Sequence, residues 1–118
     1  MASSAPPQPI TPADFGKLEV RVGRVLAVEH LPNPRFTTHK LTVDFGPEIG
    51  RKVSGARLIR YSDEQLIGRL ILGVLNLPRK QIGGMMSEFL TLGVPDAEGE
   101  CVLILPDSDA AVLGGRLY

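Results

Sequence analysis

Lys40 to Phe45 sets apolar against polar residues in strict alternation, with Leu41, Val43 and Phe45 on one side and Lys40, Thr42 and Asp44 on the other. This is the two-residue period of a half-buried β-strand. The same period governs Lys17 to Glu29, where Leu18, Val20 and Val22 oppose Lys17, Glu19 and Arg21. Gly23-Arg24 interrupts it, which predicts a bend or bulge in a long first strand. Pro32, Asn33 and Pro34 make residues 31–38 a loop. After a turn at Gly46 to Gly50, Arg51 to Leu58 reads as a weaker partner strand; its small residues Ser54, Gly55 and Ala56 suit either a close approach to the backbone or an ordinary bulge. Arg69 to Leu75 is aliphatic enough for a strand buried on both faces. Glu88 to Val94 and Cys101 to Leu105 add two more, joined by a turn at Pro95 to Gly99.

Two short helices are predicted. Thr11-Pro12-Ala13-Asp14 offers an N-cap threonine, proline at the first helical position and an acid in the first turn, ending near Gly16. Ser62-Asp63-Glu64-Gln65 is a capping box, and Gly68 can close the helix it starts. Three strands, a short helix and then further strands describe an all-β chain. The order fits an oligonucleotide/oligosaccharide-binding (OB) barrel with a five-stranded core, short helices and extra C-terminal strands.

With 118 residues, 43% of them hydrophobic, the chain supports one core and one domain. Residues 1–10 read as a disordered tail and 11–118 as the domain. The tail has neither a basic flank nor an apolar stretch, so it does not resemble a targeting peptide. No segment is long and apolar enough to span a bilayer, so no membrane partner is expected. Cys101 is the only cysteine and stands among Val102, Leu103 and Ile104, which reads as a packed thiol in a reducing cytoplasm. His30 and His39 lack a CxxC, an HExxH or a carboxylate pair at ligand spacing, so neither metal nor other cofactor is expected.

The formal charge is zero, which argues against indiscriminate coating of nucleic acid. Its distribution is uneven. Residues 51–80 hold Arg51, Lys52, Arg57, Arg60, Arg69, Arg79 and Lys80 against Asp63 and Glu64, whereas residues 88–115 hold six acids and no base. Such segregation suits one positive and one negative face, and equally suits solvated loops and strand edges. The most distinctive stretch runs from Asn76 to Glu88. Arg79 and Lys80 can bind phosphate, Asn76 and Ser87 can hydrogen-bond bases or sugars, and Gly83-Gly84 admits a close backbone. Of Met85 and Met86, one is expected to pack inward and one to face solvent. With no Trp, four Phe and two Tyr, stacking platforms are scarce, which favours recognition of folded RNA by shape.

Several blocks together resemble the CsaA family and the related tRNA-binding domains appended to methionyl-tRNA synthetases. They are Leu18 to Val25, Lys40 to Gly46, Ile82 to Leu90, Leu92 to Asp96 and Gly115 to Tyr118. The resemblance implies an OB fold, a homodimer, binding of tRNA without base-specific reading and, as the alternative, an export-related chaperone for unfolded or presecretory polypeptides. It implies RNA contacts at Lys40, Asn76, Arg79, Lys80, Ser87 and Glu88, beside which Lys52, Ser54, Arg57 and Met86 are expected to contribute, and a dimer contact at Phe15, Arg116, Leu117 and Tyr118.

This chain departs from the family in two places. Val53-Ser54-Gly55-Ala56-Arg57 replaces a glutamine-flanked polar run, so Arg57 adds a charge that should favour phosphate. Phe36-Thr37-Thr38-His39 replaces a pattern that contains a lysine and a tyrosine. No nucleophile, base and orienting residue form a recognisable pattern, so no enzyme is expected.

Overall fold

The structure is a computed structural model, which describes residues 5–32 and 35–118. Met1 to Ser4 of the expected tail and Asn33 and Pro34 of the proline loop lie outside the described residues. Residues 5–10 are exposed and form no helix or strand.

The elements in chain order are α1 (Pro12–Phe15), β1 (Val20–His30), β2 (His39–Asp44), β3 (Arg51–Ala56), α2 (Asp63–Leu66), β4 (Leu70–Val74), β5 (Lys80–Ile82), β6 (Met85–Ser87), β7 (Leu90–Thr91), β8 (Gly93–Pro95) and β9 (Cys101–Leu103). Both helices begin as the sequence predicts, each with a reciprocal capping box. Thr11 and Asp14 exchange backbone-to-side-chain bonds, as do Ser62 and Gln65.

Five antiparallel strands in the order β3-β2-β1-β4-β7 form a nearly closed barrel of the OB type. The first strand serves both halves. Val20 to Arg24 pair with β4, and Arg24 to His30 pair with β2. The register slips between Val25 and Ala27, so the bulge falls at Leu26 and not at the expected Gly23. The strand also starts later than its alternation implied, and Leu18, expected inward, is exposed ahead of it. Along the first half of β1 a C-terminal tail lies beside the strand. Gly114 donates to Val22, Val22 to Gly115 and Leu117 to Val20 through their backbones.

Gly23 answers to packing. Phe45 and Phe89 meet edge to face at the barrel centre, their ring centroids 5.0 Å apart. A Cβ on Gly23 would come within 2.4 Å of Val43 Cγ1 and 2.8 Å of Phe45. On Gly73, in the neighbouring β4, it would come within 2.7 Å of Phe89. Two glycines on adjacent strands thus make room for the two rings. Val25, Leu41, Val43, Leu58, Leu66, Ile71 and Leu103 complete the core. Cys101 is half-buried against it, and burial raises its thiol pKa, as expected of an unreactive thiol.

Two segments differ from their predicted form. Residues 88–94 do not make one strand: β7 completes the barrel, whereas β8 pairs with β9 in a separate hairpin. Residues 76–88, expected as a loop, contain the β5–β6 hairpin, whose turn uses Gly83 and Gly84 at φ 54° and 86°. A Gly-Gly pair flanked by strand formers is the signature of such a turn. Among the described residues no helix is long and apolar enough to cross a membrane.

Because Gly23 leaves no space for a methyl group, Gly23→Ala is expected to cost about 1–3 kcal/mol by overpacking. The urea midpoint should fall at an unchanged m-value.

Candidate functional site

β3 is an edge strand of the five-stranded sheet, and its outer N–H and C=O groups need partners. Ser87 and Glu88 supply them. The Glu88 backbone N–H donates to Val53 O at 2.8 Å, and its carboxylate accepts from Val53 N at 3.0 Å. Ser87 Oγ accepts from Gly55 N and donates to Phe89 O, both at 3.1 Å. Thr91 Oγ1 donates to Ser54 Oγ at 3.0 Å, adding a bond between β7 and β3. These groups fasten the barrel and lay the β5–β6 hairpin against β3.

Four residues expected to read RNA are therefore occupied by structure. Ser54 is 0% exposed and Ser87 5%, which leaves them no surface for a ligand. Glu88 closes the barrel and also lies 3.4 Å from Arg79. Asn76 clips the segment ahead of β1: its Oδ1 accepts from Glu19 N at 3.0 Å and its Nδ2 donates to Lys17 O at 2.6 Å.

Arg57 is also engaged. Nε and Nη2 donate to the two carboxylate oxygens of Glu100 at 2.8 and 3.1 Å, and Nη1 donates to Arg35 O at 3.0 Å. Its hydrogen bonds to Glu100 raise its pKa further and hold the guanidinium charged. It ties the 31–38 loop to the β8–β9 hairpin, and its charge is thereby drawn away from Arg79 and Lys80. The pairing is wider than this one residue. Arg60 approaches Asp96 at 3.5 Å, so the basic segment and the acidic segment partly neutralise one another where the sequence suggested opposite faces.

What remains is a row across the strands. Lys80 lies opposite Ser87 in the β5–β6 hairpin, Ser87 bonds Gly55, and Gly55 lies opposite Lys40 in β2. Lys80 is exposed and has no ion pair among the described residues. Arg79 is 68% exposed beside it. Lys40 sits 3.6 Å from Glu29 on the opposite flank, a loose pair that phosphate can displace. Lys52 does not join them, because its register partner is Val43 and it therefore shares the core-side face of β3.

The proline loop borders the row. A Cβ on Gly55 would touch Thr37, Ile82 and Met85, and one on Gly83 would touch Leu31. Phe36 on this loop is 80% exposed; Met86 is exposed while Met85, which faces Gly55, is half-buried, as the pair was expected to divide. Arg35, which no sequence pattern singles out, is exposed on the same loop; a lone arginine after a proline carries nothing that marks it.

At the other end of the chain, Phe15, Gly16, Arg116, Leu117 and Tyr118 line one open hollow of about 470 Å³. Phe15, Leu117 and Tyr118 are all exposed in it. Arg116 is anchored at its rim, donating to Gly16 O and lying 3.5 Å from Glu19.

A model of the family described as a putative tRNA binding domain matches residues 20–114. A methionine–tRNA ligase of Rhodopirellula baltica is 37% identical over 110 residues, covering 92% of this chain but 16% of that protein. Two solved structures match over most of the chain. The CsaA chaperone of Picrophilus torridus has TM-score 0.82 and 34% identity, covering 92% of this chain and 99% of its own. The CsaA chaperone of Bacillus anthracis has TM-score 0.80 and 37% identity, covering 94% and 100%.

If Ser87 fastens β6 to β3, Ser87→Ala strands the Gly55 N–H and is expected to cost about 1–3 kcal/mol. Glu88→Gln keeps an acceptor for Val53 and should cost less. Chemical denaturation of the two variants side by side checks the order.

Proposed function

This chain belongs to the tRNA-binding domain family, and we propose that it binds structured RNA, tRNA foremost, through the cationic row formed by Arg79, Lys80 and Lys40, with Arg35 on the bordering loop and Met86 exposed on the same hairpin. The observation that carries the reading is the family match across residues 20–114. The chain spans 16% of the Rhodopirellula ligase and similarly small shares of the other ligases, so only a binding role and no aminoacylation step is carried over. Positively charged groups on adjacent strands can follow a phosphate backbone without reading bases. Lys52 and Arg57 stay outside the contact, the first for its position and the second for its pairing with Glu100.

A few cations bind weakly at physiological salt, so two copies on one rigid body would raise the avidity. The apolar hollow of Phe15, Leu117 and Tyr118, rimmed by Arg116, is the surface we assign to a second copy of this chain. Sedimentation should report a dimer. Leu117→Glu should yield monomers that bind tRNA more weakly with the row intact; a monomeric parent protein overturns this assignment.

Affinity for tRNA should fall steeply with salt, and Arg79→Ala and Lys80→Ala should each shallow the log–log slope by about 1. Arg57→Ala should leave the slope alone and lower stability. An interaction insensitive to salt sinks the phosphate contact.

One feature favours a second reading. Leu77 and Leu90 are exposed at a small cleft of about 110 Å³ between β3 and the hairpin, which Gly55, Ile82 and Phe89 also line, and two structural neighbours are named chaperones. Unfolded or presecretory polypeptide could occupy this surface. Displacement of bound tRNA by a reduced, unfolded protein would place both on one groove; client binding with no tRNA binding would make the chaperone role primary.

A further inference from the structure

His30 closes β1 and His39 opens β2, and the antiparallel register sets the two directly opposite each other. Their rings lie 4.6 Å apart between centroids. Asp63, the first residue of α2, approaches from above the barrel end, with its carboxylate oxygens 2.9 and 3.1 Å from His30 Nε2. One ligand atom from each of the three side chains lies within 4.8 Å of the others. The sequence gives no hint of this group, because it joins residues from three elements across the proline loop and the helix.

His39 supplies a second and independent observation. It is 4% exposed, and its Nε2 has no hydrogen-bond partner among the described residues. Its other nitrogen is fixed. Thr38 Oγ1 accepts from Leu58 N at 3.0 Å and lies within donating distance, 3.4 Å, of Ala56 O. With the hydroxyl hydrogen directed to Ala56, the same oxygen accepts a bond from His39 Nδ1. The lone pair then sits on Nε2, buried and unfilled, which is costly unless something takes it up. An outer hydrogen bond that sets the tautomer is what metal-ligating histidines ordinarily have.

We propose that His30, His39 and Asp63 form a binding site for one divalent transition metal, zinc foremost. Two imidazoles and one carboxylate suit zinc and leave a fourth position open. Tetrahedral bonds of about 2.0–2.1 Å put ligand atoms about 3.4 Å apart. His39 is held in place, so closure falls to the exposed His30 and Asp63. On binding, the Nε2 lone pair of His30 goes to the ion, and its contact with Asp63 is exchanged for a shared metal. The ion joins the end of β1, the start of β2 and the first turn of α2.

The test uses the full chain without an affinity tag, stripped of metal and titrated with Zn²⁺, and with Co²⁺ as a spectroscopic probe. One Zn²⁺ per chain is expected, together with a rise of several degrees in the melting midpoint and visible absorption of four-coordinate Co²⁺. His30→Gln and Asp63→Asn alter exposed side chains and should melt like the parent without metal. Each should weaken Zn²⁺ binding beyond the roughly 10–100-fold cost of losing an outer partner. Failure to take up one ion per chain overturns the proposal, as does uptake that both variants retain.

Discussion

A sheet that ends in an edge strand must satisfy the outer backbone groups of that strand. Here the partners of β3 are largely side chains. Ser87 and Glu88 take the places that a regular ladder would give to backbone atoms, and Thr91 adds a hydroxyl bond to Ser54. The choice shapes everything beside it. A regular strand would have continued along β3, whereas this clasp lets the chain leave as the β5–β6 hairpin before Ser87 and enter β7 after Glu88. The hairpin that carries Arg79 and Lys80 is therefore held by the same bonds that close the barrel.

The alternating strands and both helix starts were legible because their signals are local. A period of two or a capping box depends on residues a few positions apart. Gly23 was rightly marked as special for the wrong reason, since a gap in a pattern cannot tell a bulge from a site where an aromatic ring presses on the backbone. The β5–β6 hairpin was missed for its short arms, though Gly83-Gly84 carried the turn signal. Among the candidate contacts, residue type does not tell which polar groups also serve their own fold. Nothing in one sequence separates an asparagine that binds a ligand from one that, like Asn76, clips a neighbouring backbone.

Charge shows the same limit. A basic segment followed by an acidic one invited a reading in terms of opposite faces, yet the fold folds one back on the other. Arg57, Arg60 and Arg79 each find an acid from the later segment. These pairs differ in what they leave available. Arg57 is gripped at three nitrogens, whereas Arg79 keeps most of its surface in solvent beside Lys80. The surface that can meet an anion is smaller than the composition implied.

The C-terminal tail sets an order of events during synthesis. Val20 and Val22 receive backbone partners from residues 114–117, more than ninety positions later. While the ribosome is still making the last strands, the first half of β1 has β4 on one side and an open edge on the other. The barrel can pack its aromatic centre at that stage, but that edge stays bare until translation has delivered Leu117 clear of the exit tunnel. A nascent chain paused late would carry the longest strand of the molecule half covered, a template for pairing with another chain.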